Sequence, residues 1–350
     1  MNHGSLSPAL KGGLLALLAA VLFGLSTPMV QSLGKGVDSF STAALLYAGA
    51  AVVAWVLRKS ALNEAGVQKS DWSRLLFMAL TGAVIGPVAL AWGLQHTSGS
   101  SASLMLTLEA VFTALLARRW YGEALDKRVV LALLLLLAGG MVLVIEQGAL
   151  GQVQLFGLLA VMLATVAWGV DNTLSRGVAE RDPGQVVLIK ATLGMLCTGT
   201  LAFVWNERVP MFSSALGLVA VGATGYGLSL RFYLLAQRTL GAARTGSVFA
   251  FAPFIGALCA LAMGDRSGSV WMVVAGVFML LGVVLHLMEA HAHEHTHAEL
   301  VHEHSHRHDD GHHDHEHDPM PKAAHSHWHQ HAALTHTHVH LPDTHHRHSH

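Results

Sequence analysis

The sequence predicts an all-α polytopic membrane protein: ten transmembrane helices, arranged as two inverted five-helix repeats, followed by a disordered histidine-rich tail. Three observations predict it. Of 350 residues, 52% are hydrophobic and only 12% carry charge. The apolar residues fall in runs of about 20, the length of helix that crosses a hydrocarbon core of about 30 Å. Runs such as 131–144 (LALLLLLAGGMVLV) are apolar all round, whereas a helix buried in a water-soluble protein alternates faces. Strands do not suit the pattern, because an open sheet edge leaves backbone groups unpaired in lipid and a barrel shows short alternating segments.

In chain order, apolar runs occupy 12–30, 39–57, 75–94, 100–117 and 129–145, then 155–175, 186–205, 215–236, 242–263 and 270–288. Polar or glycine-rich turns separate them. The first run exceeds the signal-peptide core of about 7 to 15 residues and reads as an uncleaved span. The chain divides into a first five-helix repeat over 10–148, a second over 149–290 and the tail over 291–350. At a shift of 140 to 145 residues, Phe23-Gly24 matches Trp168-Gly169, Gly49 matches Gly194, and Gly82-Ala83 matches Gly222-Ala223. Gly122-Glu123 likewise matches Gly264-Asp265, and Gly140 matches Gly282. An odd number of spans per repeat sends the second copy through the bilayer in the opposite sense.

Charge tests that inversion separately, since loops on the cytoplasmic side carry the excess Lys and Arg. With the N-terminus inside, that side holds Lys11, Arg58, Lys59, Lys69, Arg74, Arg118, Arg119, Lys127, Arg128, Arg176, Arg181, Arg238 and Arg244; the other holds Lys35, Arg208 and Arg266. Both termini are therefore expected in the cytoplasm of a bacterial-type cell, with the helices in its inner membrane. Cys197 and Cys259 lie inside apolar runs and read as packing residues, without a disulfide or thiolate metal site. There is no basic patch for nucleic acid and no Gly-x-x-x-x-Gly-Lys-Ser/Thr loop for ATP, which leaves secondary transport rather than an enzyme.

Placing a charge at the centre of a bilayer costs about 2.5 to 3.5 kcal/mol on insertion scales, so such a residue faces a cavity or a partner. Glu109 falls mid-span, where it either binds substrate or proton or is hydrogen-bonded between helices. Asp171 and Lys190 fall at similar depth on consecutive spans and can neutralise each other. Trp168, Asp171, Asn172 and Ser175 share one face of the sixth span; Phe23, Ser26 and Thr27 occupy the matching face of the first, where Pro28 should loosen the helix. Candidate substrate-binding residues are thus Ser26, Thr27, Glu109, Trp168, Asp171, Asn172 and Lys190, in a midplane pocket between the repeats. Small residues packing helix against helix are the competing reading. Arg231 reads as a snorkelling residue, Trp92 and Tyr233 as interfacial belt residues or gates, His96 and His286 as interfacial, and Gly82 to Gly86 with Pro87 as close packing.

These features, with Leu108-Glu109-Ala110-Val111 and Gly122-Glu123 around the fourth span, resemble the EamA branch of the drug/metabolite transporter superfamily. The resemblance covers about residues 10 to 288. The family's Leu-Glu-Pro-Val has Ala110 in place of proline here, which removes the family's reason for a kink, while Pro253 keeps it in the ninth span. The resemblance implies export or exchange of small organic solutes by secondary transport; separately, no cofactor is expected to be required, and a homodimer is allowed for.

The tail lies outside that resemblance. It holds 23 histidines in 60 residues, mostly as His-x-His, and too few apolar side chains to bury a core. Its first half offers His291, His293, His295, His297, His302, His304, His306, His308, His312, His313, His315 and His317 as ligands for divalent ions such as Zn, Ni, Co or Cu. The His-Glu-x-x-His matches beginning at His293 and His302 are expected by chance in such a segment. Metal as cargo, making the protein a divalent-metal efflux carrier, or metal as a signal to a responsive membrane protein, are the alternatives to an organic cargo. The partners expected are the lipid bilayer, a small-molecule substrate and divalent ions at the tail.

Overall fold

A chain surrounded by hydrocarbon satisfies its backbone only within each segment, and the computed structural model is helical throughout the membrane portion. It describes residues 8–57, 65–122, 125, 127–178 and 181–287, and in the tail 291–297, 300–306, 325–331 and 334–340. The first half comprises α1 (Pro8–Leu33), α2 (Ser39–Val56), and a third span of α3 (Trp72–Met78), a π-helical stretch Ala79–Ile85 and α4 (Gly86–His96). A fourth span joins α5 (Gly99–Met105), a 3-10 turn Leu106–Leu108 and α6 (Glu109–Tyr121), and α7 (Lys127–Leu150) follows. The second half runs α8 (Gln152–Ser175), α9 (Pro183–Val204), α10 (Phe212–Val221), a π-helical stretch Gly222–Leu228, and α11 (Ser229–Phe249). It closes with α12 (Ala252–Ala262) and α13 (Val270–Leu287). Among the described residues nine helical stretches are long and apolar enough to cross a membrane, and α13 adds a shorter apolar helix packed along α7.

The packing is matched between the halves. The first span, α1, lies against α11 and α12 of the second half, and its counterpart α8 lies against α4 and α6 of the first; α2 pairs with α9. Backbone devices recur at the same spacing. Gly122 ends α6 at φ 71° and Gly264 follows α12 at φ 95°, left-handed positions that glycine occupies without strain. In the π-helical stretches the Gly86 amide bonds to the Thr81 carbonyl and the Ser229 amide to the Thr224 carbonyl, each five residues back. Thr81 and Thr224 both return their hydroxyls to the carbonyl four residues earlier, at 2.8 Å and 3.0 Å. This equates Thr81-Gly82 with Thr224-Gly225 and corrects the alignment of Gly82 with Gly222 by three residues.

Two expectations about proline are also corrected. α1 passes through Pro28 without a break. The fourth span carries its irregular turn at Leu106–Leu108 although Ala110 stands where the family has proline, and the ninth span is interrupted at the corresponding place, between Phe249 and Ala252. The change of helix type therefore belongs to both halves and not to the proline.

At the end of the bundle opposite Arg118 and Arg119, acidic side chains of the second half cap helices of the first. Glu207 accepts hydrogen bonds from the Phe40 amide (3.1 Å), the Ser41 amide (2.7 Å) and the Ser41 hydroxyl (2.7 Å) at the start of α2. Asp265 accepts from the Ser100 amide (3.0 Å) and hydroxyl (2.9 Å) at the start of α5. A carboxylate there meets unpaired N–H groups and the positive end of the helix dipole. Partial burial pushes the Asp265 carboxyl up, but hydrogen bonds from Ser267 and Ser100 outweigh it and hold the group below the usual carboxylate range.

In the tail, four extended stretches are described: β1 (His291–His297), β2 (Leu300–His306), β3 (His325–His331) and β4 (Leu334–His340). β1 pairs antiparallel with β4 and β2 with β3. His-x-His alternation has the period of a strand. Two-stranded ribbons are marginally stable in water, so little of the fold's stability resides there.

Candidate functional site

Between the halves lies a cavity of about 480 Å³, open solvent at its mouth included. Phe23 of α1, Tyr47 of α2 and Glu109 of α6 come from the first half. Trp168, Asp171 and Asn172 of α8, Lys190 of α9, and Gly225, Tyr226, Ser229, Leu230, Tyr233 and Phe249 around α11 come from the second.

A single carbonyl organises one wall. Because the Gly86 amide reaches back to Thr81, and Pro87 has no N–H to offer, the Gly82 oxygen receives no hydrogen bond from its own helix. It accepts instead from Trp168 Nε1 at 3.0 Å and from the Tyr47 hydroxyl. Side chains at these glycines are excluded: a Cβ on Gly82 would strike the Asp171 carboxylate, and one on Gly86 would lie 2.6 Å from the Trp168 indole nitrogen. Trp168 is thus fixed at its ring nitrogen and along its flank.

The charged groups are paired across helices. Lys190 Nζ donates to Asp171 Oδ2, both side chains being almost fully buried. Asn172 Nδ2 donates to Glu109 Oε1. Ionised groups removed from water keep their charge only with such partners. Asp171 Oδ1 is buried without a hydrogen-bond partner among the described residues. Aromatic rings line the rest: Phe23 stands edge-on to Trp168 (5.5 Å, 79°) and to Tyr226 (5.9 Å, 64°), and Tyr233 stands edge-on to Phe249 (5.0 Å, 69°).

Of the residues picked from sequence, Glu109, Trp168, Asp171, Asn172 and Lys190 converge on the cavity. Ser26 and Thr27 do not line it; both are buried in helix packing, Ser26 bonding the Phe23 carbonyl at 2.6 Å and filling the notch at Gly225. Tyr233 is a buried wall residue and not part of an interfacial belt, while Trp92 remains 40% exposed and stacks on His96 at 4.1 Å. Arg231 does not snorkel freely: its Nη1 is buried and has no hydrogen-bond partner among the described residues. Sequence reasoning missed Tyr47, Tyr226 and Phe249. Tyr47 lies halfway along α2, at a depth where a belt residue does not belong, and that position was the available signal. Among the described residues no group of three or more His, Cys, Asp or Glu side chains could hold a metal ion. The side chains of His291, His293, His295, His297, His302, His304 and His306, all of His308, His312, His313, His315 and His317, and Glu123 lie outside the described residues.

Membrane-length helices in two matched halves around a shared polar cavity define a multi-pass membrane transporter. Both halves match the EamA-like transporter family, over residues 10–145 and 155–288, and the chain belongs to that family. It is 26% identical over 305 residues to an uncharacterized transporter of Methanothermobacter thermautotrophicus, covering 81% of this chain and 88% of that one. An uncharacterized transporter of Clostridium kluyveri is 22% identical over 294 residues, covering 79% and 93%. A solved crystal structure shares the fold at a TM-score of 0.57 and 22% identity, over 80% of this chain and 95% of its own.

Proposed function

We propose that the protein is a secondary transporter that exports small organic solutes by alternating access, the two five-helix repeats crossing an inner membrane in opposite senses with both termini in the cytoplasm. The observation that carries this reading is the cavity itself. Its walls come from both halves, its polar groups sit at membrane depth, and its charges are held by partners on other helices. Rocking one half against the other would open such a cavity to each side in turn. The metal-efflux reading finds only two carboxylates in the cavity lining, Glu109 and Asp171, and no histidine or cysteine beside them. The tail binds divalent ions such as Zn, Ni, Co or Cu as a buffer or regulator.

The test is transport by protein reconstituted in liposomes, with and without residues 291–350, offering amino acids and drugs in one panel and Ni, Co and Zn in another. Movement of an organic solute by both forms supports the proposal; movement of metal alone reverses it. Cysteines placed in the 146–153 connection and in the tail should be labelled from opposite sides of the membrane. Labelling of both from one side would refute the inverted arrangement.

A further inference from the structure

We propose that the cavity takes a protonated amine, a monovalent organic ammonium carried on an apolar, ring-bearing body; this rests on the transport reading above and narrows its cargo. Among the lining residues the carboxylates and amine number three: Glu109, Asp171 and Lys190. Lys190 is engaged by Asp171 Oδ2, and Glu109 is met by the neutral amide of Asn172. With these groups ionised the lining carries one net negative charge, and Arg231, the next cation along α11, is not part of it. An organic anion would enter against Glu109 with its only cation already occupied. A divalent ion lacks a cluster of ligands among the described residues.

A second observation is independent of that charge. Asp171 is 4% exposed and lines the cavity, yet its Oδ1 has no hydrogen-bond partner among the described residues. A buried carboxylate oxygen left unpaired is unfavourable, and the N–H of an ammonium group satisfies it with a charge-assisted bond. The aromatic walls supply the third element. Phe23, Tyr47, Trp168, Tyr226, Tyr233 and Phe249 line the space and pack on one another with ring centroids 5.0 to 6.5 Å apart. Aromatic rings lining a cavity attract a desolvated cation and also bury an apolar body. Glu109 and Asp171 oxygens would bind the N–H groups, and the rings would hold the remainder.

The experiment uses full-length protein in lipid nanodiscs and radiolabelled 2-phenylethylammonium as the probe, with neutral 2-phenylethanol and anionic 3-phenylpropanoate as competitors of similar size. The cation binds, and both competitors displace it at least about tenfold more weakly than unlabelled cation. Glu109→Gln weakens binding by roughly tenfold or more, and Glu109→Asp retains most of it. Equal competition by the alcohol, absence of cation binding, or unchanged affinity in a folded Glu109→Gln protein would overturn the proposal. Should the Gln variant fail to fold, the competition on the unaltered protein still decides. Counterflow in liposomes separates this inference from the reading beneath it. Counterflow of the alcohol or propanoate without cation binding removes the amine class and leaves transport intact. Charge-selective binding without counterflow of any solute removes transport and leaves the amine site.

Discussion

The two halves of the bundle share their backbone and differ in their chemistry. Each has a π-helical stretch in its third span, a break in its fourth, and a left-handed glycine after it. Yet Asp171, beside Gly82, is replaced in the other half by Ser26, beside Gly225, so the buried ion pair exists on one side alone. The lesson is that a doubled fold keeps the devices that shape its helices, while matched polar positions diverge where one lines the cavity and the other packs a helix contact.

The sharpest way to break this comparison is to remove one member of the pair. Lys190→Met leaves the Asp171 carboxylate buried and alone, and should lower stability by about 3 to 5 kcal/mol. The double variant Asp171→Asn/Lys190→Met should regain most of that, and Ser26→Ala should cost roughly 1 kcal/mol or less. Thermal unfolding in detergent measures all three. A double variant no better than the single would mean that the pair holds no charge worth neutralising.

Next in size are the matched glycines. Gly82→Ala drives a methyl into the Asp171 carboxylate, and Gly225→Ala drives one against Ser26. Each should cost about 1 to 3 kcal/mol from overpacking. Gly82→Ala should also change Trp168 fluorescence, because it displaces the carbonyl that holds the indole; Gly225→Ala should leave it nearly unchanged.

Smaller effects are expected at the capped ends. Asp265→Asn and Glu207→Gln should each lose about 1 kcal/mol. The folded protein holds the Asp265 carboxyl below its ordinary range, so its cap contributes fully above that range and is lost as pH falls through the folded-state titration. Asp265→Asn should therefore flatten part of the acid limb of the stability curve. Least of all, removal of residues 291–350 should shift the unfolding temperature of the membrane portion hardly at all, while isothermal titration with Ni or Zn loses most of its signal.

Much of the fold was legible because hydropathy and glycine spacing act locally: a run of apolar residues either spans lipid or does not. Glu109, Asp171 and Lys190 were legible for the same reason, since a charge at depth demands explanation wherever its helix points. Tyr226 and Phe249 were not, because an aromatic ring in an apolar run satisfies lipid, core and cavity equally well, and only the packing of α11 against α1 decides among them. The π-helical stretches left a trace in Gly86-Pro87 that reads equally as close packing. Ser26 and Thr27 carried the right pattern, but the close approach of Gly225 turned that face into a contact.

The meeting of α1 and α12 has a mechanical consequence. Pro28 denies the Gly24 carbonyl its usual donor, and a Cβ on Gly256 would stand 2.8 Å from that oxygen, so the two backbones touch with nothing between them. Under the proposed rocking of one half against the other, such a point would be the fulcrum, because pivoting helices move least where they have no side chains to re-seat and most at their tips. A chemical tether joining the helices beside Gly24 would leave turnover running, whereas the same tether at either end would lock the bundle in one posture.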